Sequence, residues 1–295
     1  MYRSTNCTLS VLHFLRSARF VRMIVARACD ADVPAMVSMV QSMGWPQREA
    51  DLQFALDAGS VWVAKASRGG GAIAMAAWWA YGTNEARLGL VIVHQEHQRQ
   101  GLAGLLVNRC LEEARGRRVS LLSTTDGLQL YRNTGFEKIG GSRRYQGKIV
   151  GDLEPDARVR AAKSNEFSKI CELDREASGF DRKTVLEHIA TLGRMFLLEH
   201  NGEMTGFVMT RPFLHGTVVG PMIAADANDA IALFNSICIQ GEARIDCLSG
   251  QQKFAQHIAA CGVEAHEESP IMVNARPRDE LHSTRYFSMA SHAWG

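Results

Sequence analysis

The chain has 295 residues, of which 46% are hydrophobic and 22% charged, and its formal net charge is +2. These values are typical of a soluble globular protein and exclude a wholly disordered or fibrous chain. The small net charge argues against a dedicated nucleic-acid binder, and no apolar run reaches the ~18 residues of a membrane-spanning helix. The length exceeds that of one ordinary domain and predicts two.

The seven cysteines are odd in number and scattered, and no two of them form a CxxC pair. This pattern indicates neither a disulfide framework nor a cysteine zinc site. We therefore expect a cytoplasmic protein without a metal.

The first 22 residues differ from the rest because they contain four arginines and no acid; the first acidic residue is Asp30. An arginine-bearing, acid-free start is one feature of a transit peptide. The alternative is an upstream start codon, with Met23 opening the folded protein. Residues 1–22 are accordingly predicted to be an N-terminal extension.

The residues after this extension predict one order of elements that occurs twice. Each copy reads strand, two helices, hairpin, strand, helix, strand, helix, strand, and a linker at 151–156 separates the copies. This order predicts an α/β (α+β) fold in which each copy is a mixed, mostly antiparallel sheet flanked by helices. The predicted domains are 23–150 and 157–275, and residues 276–295 are expected to form a loosely ordered tail.

In the first copy, a buried strand at 86–93 leads through a polar loop into a helix that begins near Leu102. The loop and the first helical turn read Gln98-Arg99-Gln100-Gly101-Leu102-Ala103-Gly104. Backbone N–H groups at such a helix start suit a pyrophosphate, and Gly101 allows close approach. A plain strand-loop-helix connection is the structural alternative. The spacing fits neither a Walker loop nor a dinucleotide fingerprint.

Two motifs resemble the GNAT superfamily of acyl-CoA-dependent N-acyltransferases. The family's acyl-CoA loop, Gln/Arg-x-x-Gly-x-Gly/Ala, matches Gln98 to Ala103, and its Tyr-x-x-x-Gly-Phe signature matches Tyr131 to Phe136. The resemblance covers about Ile24 to Ile149. Residues 157–275 resemble the second domain of a two-domain GNAT subgroup.

The resemblance implies that acetyl-CoA is the acyl donor, held by the strand before the loop, by the loop and by the start of the helix. The cofactor-binding residues so implied are Leu90, Val91, Ile92, Val93, Gln98, Arg99, Gln100, Gly101, Leu102, Ala103, Gly104 and Asn133.

The resemblance also implies that Tyr131 is the general acid that protonates the leaving thiolate; its structural alternative is packing on the CoA arm. The general base is left open. The strand between Ala86 and Val93 has no acid, and Glu85 at its start is expected to be exposed. His94 and Asp126 are further candidates, and deprotonation through water is the default.

The acceptor pocket is expected to draw on the helix break, on the hairpin and on the second domain. The candidate substrate-binding residues are Trp45, Trp79, Thr124, Asp126 and Arg211. Because Trp78 and Trp79 are adjacent in a strand, one of them faces the core.

The second copy lacks the glycine loop and offers Asp226 and Asp229 instead. Two acids repel a pyrophosphate, so this copy is expected to be degenerate and not to bind CoA. The predicted function is an N-acetyltransferase acting on the primary amine of a small molecule or amino acid, as a monomer or homodimer. The alternatives are a protein-lysine acetyltransferase and a non-catalytic acyl-CoA sensor.

Overall fold

The computed structural model describes residues 10–16, 19–45, 47–213, 216–237, 239, 241–274 and 284–295, with the backbone alone for 10–16 and 19–22. The chain divides into two compact units. The N-terminal unit comprises Met1–Ala80 and Leu88–Arg117, and the C-terminal unit comprises Tyr81–Arg87 and Arg118–Gly295. These bounds differ from the predicted domains because the elements from Arg118 onward join the C-terminal unit.

The N-terminal unit contains antiparallel strands covered by three helices. Its central strand is buried along almost its whole length, which fits the run Val-Trp-Val-Ala. Apolar residues at helical spacing bury one face of each helix. The elements are β1 (Ser10–Arg16), β2 (Arg19–Arg27), α1 (Val33–Ser42), α2 (Glu49–Ala58), β3 (Ser60–Lys65), β4 (Ala72–Tyr81), β5 (Glu85–Val93), whose first residues belong to the other unit, and α3 (Leu102–Glu113).

The first predicted strand extends further back than its apolar pattern indicates. β2 begins at Arg19 and pairs antiparallel with β1, while its second half pairs with β3. Strand pairing therefore reaches into the segment predicted as an extension. Residues 1–9 and 17–18 of that segment lie outside the described residues.

The C-terminal unit repeats the element order that the sequence predicts for the second copy. Its elements are β6 (Arg118–Leu122), α4 (Leu128–Asn133), β7 (Glu137–Lys148), β8 (Val159–Ala161), α5 (Phe167–Ser178), α6 (Lys183–Leu192), β9 (Arg194–His200), β10 (Glu203–Phe213), β11 (Gly216–Ile223), α7 (Ala227–Ser236), β12 (Glu242–Leu248), α8 (Gln252–Ala260), β13 (Glu264–Val273) and β14 (Tyr286–Ser288).

The two predicted domains exchange strands at their ends. From the first residues of β5, the sheet of the C-terminal unit continues in the order β6, β13, β7, β12, β14, β11, β10, β9, β8. Strand β13, from the second copy, is inserted between β6 and β7, so that Ile271 pairs with Leu122 on one side and with Gly140 on the other. The predicted boundary near residue 150 separates the two copies along the sequence, but strands of both copies pair within one sheet. Most pairs are antiparallel, as predicted, and β5–β6 and β11–β12 are parallel.

The end of the chain is not the loosely ordered tail that the sequence predicts. Strand β14 pairs with both β11 and β12, and the Phe287 ring lies 5.7 Å from the ring of Phe254 on α8. Trp294 is also buried. Burial of these aromatic rings explains why residues 284–295 belong to the core. Residues 275–283 lie outside the described part.

None of the helices that the structure describes is both long enough and apolar enough to cross a membrane.

Candidate functional site

The start of α3 presents backbone donors that no side chain covers. Gly101 is the N-cap residue, with φ of 79°, and it makes no side-chain capping bond. The first intrahelical bond runs from the Leu105 N–H to the Gly101 carbonyl at 3.0 Å, so the N–H groups of Leu102, Ala103 and Gly104 precede the helical ladder. These donors and the positive end of the helix dipole attract an anion.

The space in front of this helix start is open. A Cβ atom built on Gly101 would meet no other atom within 4 Å. Arg99 is exposed and has a φ of 58°, so two left-handed residues shape the loop. Open space, uncapped donors and an adjacent guanidinium together fit a pyrophosphate group.

Strand β5 and the loop are joined by hydrogen bonds of glutamine side chains. Gln98 Nε2 donates to the Val93 carbonyl at 3.2 Å, and Gln100 Nε2 donates to the Glu96 carbonyl at 3.3 Å. Leu90 has a φ of 51°, a left-handed backbone conformation that is uncommon for a residue other than glycine. Within the N-terminal unit, the structure thus brings the predicted residues 90–93 and 98–104 together.

Tyr131 lies on the short helix α4 in the C-terminal unit. Its side chain is buried, and its ring packs edge to face on Phe136, with ring centroids 5.9 Å apart. The Tyr131 carbonyl accepts from the N–H of Phe136 at 2.9 Å and from the Thr134 hydroxyl at 3.0 Å. The backbone from Tyr131 to Phe136 therefore forms a closed turn, and the Tyr131 ring packs on the Phe136 ring.

A glycine that the sequence analysis missed permits the approach of this phenol to the preceding turn. A Cβ atom on Gly127 would lie 3.0 Å from Cε2 of Tyr131 and 3.2 Å from Oγ of Ser123. Thr124 belongs to the same turn, and its hydroxyl accepts from the Gly127 N–H at 3.3 Å. Thr124 and Asp126 are both exposed, so the structure places these two predicted acceptor residues on an accessible turn next to Tyr131.

Two other predicted acceptor residues lie in the interior. Trp79 is 1% exposed and packs against Gly59, whereas Trp78 donates through Nε1 to Glu113 at 2.9 Å. Arg211 is buried, with its guanidinium 5.2 Å from the centre of the Trp294 ring. Both side chains are therefore enclosed by the fold. Trp45 is half-buried.

Two further residues named in the sequence analysis are Asn133 and Glu85. Asn133 is exposed, and its side-chain oxygen accepts from Gln129 at 2.8 Å. Glu85 differs from its prediction: it is 5% exposed and forms an ion pair with Arg118 at 2.9 Å. Glu85 is therefore a buried, paired carboxylate and not the exposed one that the sequence predicts.

The corresponding helix of the second copy begins differently. Asp226 is the N-cap residue of α7, and its carboxylate accepts from the N–H groups of Asn228 at 2.7 Å and Asp229 at 3.0 Å. Asp229 is buried and pairs with Arg158 at 3.0 Å. The donors at this helix start are therefore already used by a carboxylate.

Among the residues that the structure describes, no group of three or more His, Cys, Asp or Glu side chains is arranged to hold a metal ion.

Two family models match the chain, and both describe an acetyltransferase (GNAT) domain. One matches residues 57–138 and the other residues 170–288. The two matches lie on separate halves and together cover more than half of the sequence. The chain therefore belongs to the GNAT acetyltransferases and carries two such domains in tandem, as its motifs predict. It is an enzyme of the N-acetyltransferase class, and GNAT acetyltransferases generally use acetyl-CoA.

Individual proteins are similar to this chain in sequence or in fold. YitH of Bacillus subtilis (strain 168), named an uncharacterized N-acetyltransferase, is 25% identical over 218 residues, which are 70% of this chain and 76% of YitH. A candidate acetyltransferase from Pyrococcus horikoshii has a similar crystal structure, with a TM-score of 0.77, 21% identity, and coverage of 96% of this chain and 99% of that one. A tandem GNAT protein from the clavulanic acid biosynthesis pathway gives a TM-score of 0.59 with 14% identity, covering 87% and 100% of the two chains.

Proposed function

We propose that the protein transfers an acetyl group from acetyl-CoA to the primary amine of a small molecule or amino acid. The observation that carries this proposal is the start of α3, where Gly101 leaves the N–H groups of the first turn uncapped and open. A helix start of this kind binds a pyrophosphate through its backbone and its dipole.

Several residues of the loop are assigned to bind the nucleotide. Gln98 and Gln100 fix the loop by bonding to the carbonyls of Val93 and Glu96, so that Arg99 faces solvent and can pair with a phosphate. Leu90, Val91, Ile92 and Val93 are assigned to bind the pantetheine arm through their backbone. Asn133 is exposed and is assigned to the same ligand from its place in the motif Tyr131 to Phe136 alone.

Acetyl-CoA supplies the acetyl group as an activated thioester. Tyr131 is the general acid, with its buried ring packed on that of Phe136 in the closed turn from Tyr131 to Phe136. A phenol with an ordinary pKa of about 10 is a suitable proton donor to a thiolate. The amine attacks directly after losing its proton through water, since the strand between Ala86 and Val93 has no acid.

The second GNAT domain does not take a second nucleotide in this proposal. The carboxylate of Asp226 fills the position that the pyrophosphate needs at α7. This domain is instead assigned to shaping the acceptor side, together with Thr124 and Asp126, which are exposed polar residues of the first GNAT domain.

The test is the release of free CoA thiol from acetyl-CoA with a panel of small amines, amino acids and lysine-containing peptides and folded proteins. We expect turnover with at least one small amine and acetylation of its primary amino group, identified by mass spectrometry. Turnover only with protein lysines would favour a protein acetyltransferase. Acetyl-CoA binding without any acetylation would favour a sensor.

A further inference from the structure

The general acid assigned to the first GNAT domain lies in a stretch whose two ends join strands that are not neighbours in the sheet. Tyr131 belongs to residues 123–136, which leave β6 after Leu122 and enter β7 at Glu137. Strand β13 lies between β6 and β7, so two strand spacings, about 10 Å, separate these ends. We call residues 123–136 the Tyr131 segment.

The strand between the two ends comes from the second GNAT domain. The family match of the first domain ends at residue 138, and β13 falls within the match of the second, 170–288. The last residues of β13 are buried and pair with β6 on one side and with β7 on the other; they are Ile271, Met272 and Val273. The second domain therefore supplies the part of the sheet that separates the ends of the Tyr131 segment.

A backbone bond from β13 holds the first end of the segment. The N–H of Ser123, the residue directly after β6, donates to the Pro270 carbonyl at 2.9 Å. Ser123 is buried and begins the turn that contains Gly127, where a Cβ atom would lie 3.0 Å from the Tyr131 ring. The position of this turn beside the Tyr131 ring is therefore set from β13.

The other end of the segment is held where β7 begins. Val273 pairs with Glu137, the residue after Phe136. The Phe136 N–H donates to the Tyr131 carbonyl at 2.9 Å, and the two rings pack on each other. Both ends of the Tyr131 segment thus adjoin residues that pair with β13.

One side chain of the second domain fastens β13 to β6. Asn274, which follows β13, accepts the Val119 N–H through Oδ1 at 2.8 Å and donates its own N–H to the Val119 carbonyl at 3.1 Å. Val119 is 1% exposed, so water does not readily replace this acceptor. Loss of the Asn274 side chain therefore weakens the contact between β6 and β13 without altering any residue of the Tyr131 segment.

We propose that β13 is a positioning element of the first domain's reaction: the second GNAT domain fixes the place of Tyr131 through the Pro270 carbonyl and the Asn274 side chain. Asn274 is a positioning residue, because its side chain acts on β6 and reaches Tyr131 only through the segment that follows. This inference rests on the proposed function, since it takes Tyr131 as the general acid. It gives the second domain a part in catalysis that needs no second nucleotide.

The test is a double-mutant cycle of Asn274→Ala and Tyr131→Phe, measured by steady-state kinetics with an amine that the wild type acetylates. A misplaced proton donor slows the chemical step, so Asn274→Ala should lower kcat by about tenfold and leave the Kd for acetyl-CoA unchanged. In the Tyr131→Phe background the same change should lower kcat by less than about twofold, because no proton donor is left to misplace. Asn274→Asp keeps a side-chain oxygen for the Val119 N–H and should restore most of the wild-type kcat.

The matched control is Asn235→Ala on α7. The Asn235 side-chain oxygen likewise accepts one bond at 2.8 Å, from His257 on α8. This variant removes a comparable bond within the second domain but outside β6, β7 and β13, and it should leave kcat unchanged. A similar fall in kcat for the two alanine variants would assign the effect to general destabilisation and overturn the inference.

Two further kinetic results would overturn the inference and leave amine acetylation intact. One is an unchanged kcat in a folded Asn274→Ala protein, and the other is an equal fall in kcat with and without the Tyr131 hydroxyl. Should Asn274→Ala fail to fold, Asn274→Gln moves the acceptor oxygen by one methylene group, and the same cycle applies to it.

If no amine is acetylated, the proposed function fails, and hydrogen exchange then decides whether β13 holds the Tyr131 segment. The amides of Ser123 and Phe136 should exchange faster in Asn274→Ala than in Asn235→Ala. Equal exchange of these amides in the two variants would contradict the positioning role of β13.

Discussion

Gly101 and Asp226 occupy the same position, the N-cap, in corresponding helices of the two GNAT domains, and they leave opposite environments there. Gly101 has no side chain, and the helix donors after it remain uncapped. Asp226 fills its helix start with its own carboxylate, which accepts two backbone N–H bonds. One residue type at one position thus separates a helix start that attracts an anion from one that repels it.

The capping role of Asp226 can be measured directly. Asp226→Ala should lower the free energy of unfolding by about 1 kcal/mol, because α7 loses its cap. Asp226→Asn keeps a capping side chain and should cost much less. Urea unfolding of the three proteins checks the stability. Affinity for acetyl-CoA should be the same in all of them, and a marked change on loss of Asp226 would show that α7 takes part in nucleotide binding.

The proton-donor role predicts a selective defect for Tyr131→Phe. We expect kcat to fall by about a hundredfold, the scale of one general acid, while the Kd for acetyl-CoA stays unchanged. The matched control is Tyr145→Phe, which removes another phenol oxygen, from a largely buried tyrosine on β7. Steady-state kinetics and equilibrium binding measure the two quantities. A kcat close to that of wild type would reduce Tyr131 to a packing residue.

Glu113 is the centre of a polar cluster in the N-terminal unit that the sequence did not reveal. Its carboxylate accepts from the Ser60 hydroxyl at 2.6 Å and from Trp78 Nε1 at 2.9 Å, and it pairs with Arg27 at 2.8 Å. Burial by itself would raise the pKa of Glu113, but the hydrogen bonds from Ser60 and Trp78 and the charge of Arg27 outweigh it and lower the pKa.

This lowered pKa makes stability depend on pH. The contribution of Glu113 is complete above its unfolded-state pKa of about 4.3 and is lost as the pH falls through the lower folded-state value. Glu113→Gln should therefore cost about 2 kcal/mol at neutral pH, and the difference from wild type should shrink in acid. Glu112→Gln, next to it and exposed, is the control and should cost little. Equal costs at pH 7 and pH 3 would contradict the assignment.

The sequence predicts the parts of the fold and site that are encoded by neighbouring residues. The loop from Gln98 to Gly104 could be recognised because a glycine at a helix start has a direct local meaning. The element order of both copies follows from apolar periodicity in the same way.

Pairings between distant residues could not be predicted in this way. Strand β13 is apolar at its C-terminal end, and this pattern would fit a strand at several positions in the sheet. Its sequence therefore does not show that it lies between β6 and β7. Tyr286 and Trp294 lie in a segment without a periodic pattern, and only their burial shows that it belongs to the core. The environments of Glu85 and Arg87 depend on partners more than 30 residues away.

The backbone at Leu90 is a different case. A positive φ is expected at glycine, and Gly89 next to it would have been the natural choice. In the structure, Leu90 adopts this conformation instead, with a φ of 51°. Strain of this kind is a property of the surrounding fold and not of the residue type.

Calorimetric titration of acetyl-CoA into the wild type, Gly101→Asp and Gly101→Asn tests the central claim most directly. Asp and Asn both tolerate a left-handed backbone and have nearly the same size, so they differ mainly in charge. We predict one acetyl-CoA per chain for the wild type, a Kd at least about tenfold weaker for Asp than for Asn because of the carboxylate at the helix start, and an unchanged unfolding midpoint. Equal affinities for the Asp and Asn variants would contradict an acetyl-CoA site at the start of α3, and two sites per chain would contradict a second domain that does not bind CoA.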